Sequence, residues 1–152
     1  MPDLFSQLVD EAFGFLVRDH GFSRKDTDEP LQTRAGGTPV ARRIEFESKA
    51  IRATLCWHRY DELGIDIWVL VDTFWIRPAD PRSFDFFRLV RMVDPAALTD
   101  APSFLNVPWE QHALRSRLQL LAQWLRKYGM PLLKSDVSLA ENVLISAALR
   151  QS

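Results

Sequence analysis

Three side chains capable of acid–base or nucleophilic chemistry lie close together in the sequence: Cys56, His58 and Asp66. A cysteine becomes a nucleophile when a neighbouring base and a lowered thiol pKa activate it, and His58 is the nearest base. The two side chains share one side of a predicted strand, where they are too far apart for a reliable direct hydrogen bond. The pattern therefore favours a semi-buried, inert thiol beneath a helix, and an enzyme with dispersed catalytic residues near His58 and Asp66 is the alternative.

The three histidines, His20, His58 and His112, fall on three different predicted elements. Short zinc motifs place cysteines or histidines at close, regular spacing, and the chain has neither a CxxC nor an HxxxH pattern. Glycine-rich phosphate-binding motifs and the GxSxG motif are also absent from the sequence. The sequence therefore predicts no metal, no cofactor and no catalytic residue.

Carboxylates alternate with arginines in the central part of the chain, at Arg43, Glu45, Glu47, Arg52 and Asp66. Two carboxylates in one cleft can act as an acid and a base. Nothing in the sequence predicts such a cleft. The alternation of signs is typical of a solvent-exposed face with ion pairs.

Hydrophobic residues at every second position predict three antiparallel strands that bury one common face. Their inward rows are Val40, Ile44 and Phe46; Ile51, Ala53, Leu55 and Trp57; and Ile65, Ile67, Val69 and Val71. The residues between them then form an outward face.

Predicted turns set the register of this outward face. A tight turn at 48–49 places Glu45 opposite Arg52, and a longer second turn places His58 opposite Asp66. The charged residues of the face, together with an outward tryptophan, form a candidate surface for binding another protein. Its predicted residues are Arg43, Glu45, Arg52, His58, Asp66 and Trp68.

Trp68 and Leu70 are the apolar residues of the outward face. They are expected either to lie under a helix or to remain exposed as an apolar patch. If they are exposed, a homodimer formed through them is an alternative to binding another protein. A homodimer formed through the C-terminal helices is a further alternative.

Helical spacing flanks the strands on both sides. The sequence predicts helices over 3–20, from Asp80-Pro81 onward, over about 108–128 and over about 138–150. Residues 23–39 are polar and predict a loop, with a short strand near 31–34. The predicted fold class is α+β, with an N-terminal helix, an antiparallel meander of three to four strands and a helical C-terminal half. The whole chain, 1–152, is predicted to be a single domain.

The composition of the chain bears on its binding partners and on its cellular location. The net charge is −1 and basic residues are balanced by acidic ones, so nucleic-acid binding is not favoured. No apolar run reaches the roughly 20 residues needed to cross a membrane, and the N-terminus lacks the pattern of a signal peptide. The chain has one cysteine, so no internal disulfide is available, and we expect a cytoplasmic protein.

Several segments together resemble a known group of proteins. A leading helix ends in Gly21-Phe22, and Ile44-Glu45-Phe46-Glu47-Ser48, Ile51–Trp57 and Leu63-Gly64-Ile65-Asp66-Ile67-Trp68-Val69 follow. This order resembles small uncharacterised bacterial α+β proteins that include the immunity proteins of polymorphic toxin systems. The resemblance covers about residues 4–72 and assigns no site residue. It implies a cytoplasmic, non-enzymatic protein whose partner is another protein, a toxin that it neutralises by binding.

Overall fold

A computed structural model gives the structure of residues 4–26, 42–57, 62–71, 82–105, 107 and 110–151. The elements in chain order are α1 (Leu4–His20), β1 (Ser23–Asp26), β2 (Arg42–Glu47), β3 (Ile51–Trp57), β4 (Leu63–Val69), β5 (Ser83–Asp85), α2 (Phe86–Val93), α3 (Pro95–Thr99), α4 (Gln111–Tyr128), α5 (Met130–Leu133) and α6 (Ser138–Gln151). The predicted α+β class is confirmed, with an N-terminal helix, an antiparallel sheet and C-terminal helices.

The sheet is a meander whose strands lie in chain order, β1-β2-β3-β4-β5. The described residues form five strands, more than the predicted three to four, because both edge strands were missed. β1 occupies the start of a segment predicted as loop, and β5 immediately precedes α2. Both are short and largely polar, so neither shows the alternation that reveals an internal strand. The predicted short strand near 31–34 and residues 80–81 lie outside the described residues, but the helix predicted from Asp80-Pro81 onward was wrong over Ser83–Asp85, which form β5, and α2 begins only at Phe86.

The predicted inward face is confirmed for the residues that β2, β3 and β4 contain; Val40 lies outside the described residues, and Val71 lies beyond the end of β4 and is partly buried. The buried residues of this face are Ile44, Phe46, Ile51, Ala53, Leu55, Trp57, Ile65, Ile67 and Val69. Helix α1 packs on it, with the ring of Phe13 centred 6.2 Å from that of Phe46. The guanidinium of Arg42 lies 5.9 Å from the centre of the Phe5 ring, and burial lowers the pKa of this arginine.

The turn between β2 and β3 lies one residue later than predicted. The N–H of Ser48 donates to the carbonyl of Ile51 at 2.9 Å, which closes a two-residue turn. A shift of one residue in the turn changes the register by two residues, so the inward face stays the same while the outward partners change. Arg52 consequently lies opposite Glu47, and the predicted pairing of Arg52 with Glu45 was wrong.

The register of β3 and β4 also differs from the prediction by an even number of residues. Trp57 lies opposite Leu63, and Asp66 lies opposite Thr54. The predicted pairing of Asp66 with His58 was therefore wrong, because the connection between the strands is shorter than expected. His58 itself lies outside the described residues.

The helices pack on each other through α1 and α4. The side chain of Arg115 on α4 donates to Glu11 on α1 at 3.0 Å, and the guanidinium of Arg126 lies 4.0 Å above the ring of Phe15. The hydroxyl of Tyr128 donates to Asp94 at 2.7 Å, which ties the end of α4 to the junction of α2 and α3. Of the helices described, none is both long enough and apolar enough to span a membrane.

Candidate protein-binding surface

The face of the sheet opposite α1 is called here the outer face. Strand alternation and register place on it Ser23, Lys25, Arg43, Glu45, Glu47, Arg52, Thr54, Cys56, Gly64, Asp66, Trp68, Ser83 and Asp85. Because every strand contributes side chains from a hydrogen-bonded ladder, the backbone fixes the spacing of these groups.

Two rows of residues cross all the strands on the outer face. The first row is Lys25, Glu45, Thr54, Asp66 and Asp85. The second row is Ser23, Glu47, Arg52, Trp68 and Ser83. The structure thus places five of the six predicted site residues on one face, namely Arg43, Glu45, Arg52, Asp66 and Trp68. The sixth, His58, is not among the described residues.

An ion pair lies beside Trp68 in the second row. The Nε and Nη2 atoms of Arg52 approach Oε1 of Glu47 at 3.2 and 2.9 Å. Both side chains are partly exposed, so the pair contributes only about 0–1 kcal/mol to folding. The pair lies in the same row as Trp68, because the register places Arg52 directly opposite Trp68.

Trp68 is 40% exposed and Leu70 is 36% exposed. The first of the two expectations for these residues, cover by a helix, is therefore wrong, and they form an exposed apolar patch. The backbone beneath them is held firmly, since the N–H of Leu70 donates to the carbonyl of Ala50 at 2.8 Å. The patch thus combines an accessible indole with a fixed backbone.

Cys56 is buried near the end of β3, on the outer-face side of the central strand, with 4% of its surface exposed. Burial raises the pKa of its thiol, and a hydrogen bond with Arg43 offsets this only in part. A thiol with a raised pKa stays protonated at neutral pH and is a poor nucleophile. The geometry around Cys56 is therefore that of an inert, packed side chain.

The β4–β5 end of the outer face has an acidic residue that the sequence analysis did not select. Asp85 lies opposite Asp66 and is exposed at the surface; partial desolvation by the surrounding protein raises its pKa, and the charges of Asp66 and Glu62 raise it further. The sequence offers one indication of a role for Asp85, because an aspartate two residues before Phe87, at the start of a helix, is a typical N-cap. The carboxylate of Asp85 does accept from the N–H of Phe87 at 3.0 Å.

A shallow groove of about 250 Å³ lies away from the sheet, between the first turns of α1 and α4. The ion pair between Glu11 and Arg115 contributes to its wall. Its remaining wall is mixed, with Leu8 next to Asp10 and Gln111. Within the described part of the chain, no group of three or more His, Cys, Asp or Glu side chains is arranged to hold a metal ion.

Comparison of the chain with protein-family models, curated proteins and solved structures finds no match. The geometry of the outer face is accordingly the main basis for a proposal about function.

Proposed function

We propose that this chain is a protein-binding module of the bacterial immunity type, which neutralises a cognate toxin in the cytoplasm by binding it through the outer face. The observation that carries the proposal is the exposed indole of Trp68, 40% accessible, on a strand with hydrogen-bonded neighbours on both sides. The resemblance of residues 4–72 to small uncharacterised bacterial α+β proteins that include immunity proteins suggests the class of partner.

Trp68 has the properties of an interface anchor. Tryptophan is enriched among the few residues that dominate binding energy, because it buries a large area and has few rotatable bonds. The residue facing it on β3 is Arg52, which pairs with Glu47, and Leu70 two residues further along the chain is also exposed. A partner that covers the indole therefore meets a surface whose backbone needs little reordering, which keeps the entropic cost of binding low.

The charges of the outer face fit a role in partner selection. The outer face presents Arg43 and Lys25 on one side and Asp66 and Asp85 on the other. Charges placed at the rim of an interface mainly raise the association rate and exclude partners with the wrong pattern. An inhibitor that must recognise one toxin among related toxins requires that kind of selectivity.

The immunity role also agrees with the chemistry of the buried thiol. Neutralisation by stoichiometric binding requires surface complementarity and no nucleophile. Cys56, the group with the most direct catalytic potential in the sequence, has a thiol pKa raised by burial. The enzyme alternative near His58 and Asp66 gains no support from the position of Asp66, whose outward neighbours are Thr54 and Asp85.

The test is co-expression with the protein encoded by the adjacent gene. We expect that protein to arrest growth when expressed alone, and the present chain to restore growth and to form a complex measurable by titration calorimetry. Trp68→Ala should weaken the complex by about 30-fold, which corresponds to about 2 kcal/mol for a residue that anchors an interface. Val17→Ala is the matched control, because Val17 is 43% exposed but lies on α1, across the sheet from the outer face.

Three results would contradict the proposal. The first is the absence of any complex with the adjacent gene product. The second is equal weakening by Trp68→Ala and Val17→Ala, which would show that the outer face is not the interface. The third is a homodimer in light scattering that Trp68→Ala dissolves, which would assign the patch of Trp68 and Leu70 to self-association.

A further inference from the structure

We draw no further inference here: the strongest candidate, the exposed patch of Trp68 and Leu70 at the end of β4 beside the facing carboxylates of Asp66 and Asp85, belongs to the surface already described, and nothing in the structure shows what covers it.

Discussion

Asp85 lies directly opposite Asp66 where β4 pairs with β5. Asp85 is exposed at the surface, yet partial desolvation by the surrounding protein raises its pKa, and the charges of Asp66 and Glu62 raise it further, against the lowering effect of the N–H of Phe87. Like charges on facing residues of neighbouring strands destabilise a sheet. The ionised form of Asp85 is therefore disfavoured in the folded protein.

This relationship predicts a pH-dependent effect of Asp85→Asn. Since the folded pKa lies above the ordinary value of 3.8, the unfolded chain releases its proton first as the pH rises. The contribution of Asp85 to the free energy of unfolding therefore falls as the pH rises from about 3.8 to the raised pKa. It stays low at higher pH. Asp85→Asn keeps the oxygen that caps α2 and has no charge. It should be more stable than the parent at pH 7 and similar to it at pH 3, measured by urea denaturation.

Asp136→Asn is the control of opposite sign. Hydrogen bonds from the hydroxyl and N–H of Ser138 lower the pKa of Asp136 below 3.8. The stability from its charge is therefore present above the ordinary pKa and is lost as the pH falls through the lowered value. Asp136→Asn should be less stable than the parent at pH 7, and the difference should shrink toward pH 2. A common direction for both variants at pH 7 would mean that charge does not determine their stability.

The thiol of Cys56 should react slowly. Because 4% of Cys56 is exposed and burial raises its thiol pKa, a thiol reagent such as Ellman's reagent should modify the folded protein far more slowly than the urea-unfolded chain at pH 7. Stopped-flow absorbance gives both rates. Comparable rates for the folded and the urea-unfolded protein would show an accessible, activated thiol. That result would favour the alternative that the chain is an enzyme.

Ser135→Gly should stabilise the protein. Ser135 has φ of 67°, a left-handed backbone, at the end of α5. The N–H of Asp136 donates to the carbonyl of Pro131 at 2.8 Å, so the residue occupies the position that glycine usually fills after a helix. Removing the side chain relieves strain of about 1 kcal/mol. The expected result is an increase of about that size in the free energy of unfolding.

Ser116→Gly is the matched control for this substitution. Ser116 is exposed within α4, where the backbone is helical and glycine has no conformational advantage. Glycine there should lower stability by about 0.5 kcal/mol, from its poorer helix propensity. If both serine-to-glycine variants lost stability, the left-handed strain at Ser135 would be refuted.

Two glycine-to-alanine substitutions should have opposite effects. A Cβ at Gly129 would lie 2.9 Å from the carbonyl oxygen of Leu125, which is backbone and cannot move aside. A Cβ at Gly14 would lie 2.7 Å from Nη1 of Arg18, the flexible end of an exposed side chain. Gly129→Ala should therefore cost about 1–3 kcal/mol, whereas Gly14→Ala should gain about 0.5–1 kcal/mol from helix propensity. Thermal unfolding followed by circular dichroism measures both. A gain for Gly129→Ala would contradict the contact.

The face that each central strand buries could be predicted from the sequence, but the strand partners could not. Alternation is local, so Ile44, Leu55 and Ile67 were correctly placed inward. Register depends on where a turn closes, and the hydroxyl of Ser48 accepts from the N–H groups of Ala50 and Ile51, which moves the turn by one residue. An even shift leaves each strand facing the same way, so the pattern alone cannot detect it.

The edge strands were missed because tertiary contacts, more than their own sequence, position them. Arg24 in β1 points toward α1 and bonds to Asp10 and Ser6, with Oγ of Ser6 at 2.8 Å. A polar residue that faces inward breaks the expected alternation. The exposure of Trp68 also could not be predicted from the sequence, since alternation predicts only that its side chain lies on the outward side of the strand. Whether a helix covers it depends on the path of the chain in three dimensions.

The contact of α1 with α4 joins parts of the chain that are made at very different times. Glu11 and Arg115 are 104 positions apart, whereas each strand of the meander pairs with its immediate neighbour in sequence. During synthesis on the ribosome, each strand can pair with the preceding strand soon after it leaves the exit tunnel. Helix α1 can pack on the sheet at that stage, whereas its ion pair with α4 can form only after Arg115 has also left the exit tunnel, so one side of α1 stays uncovered until late in synthesis.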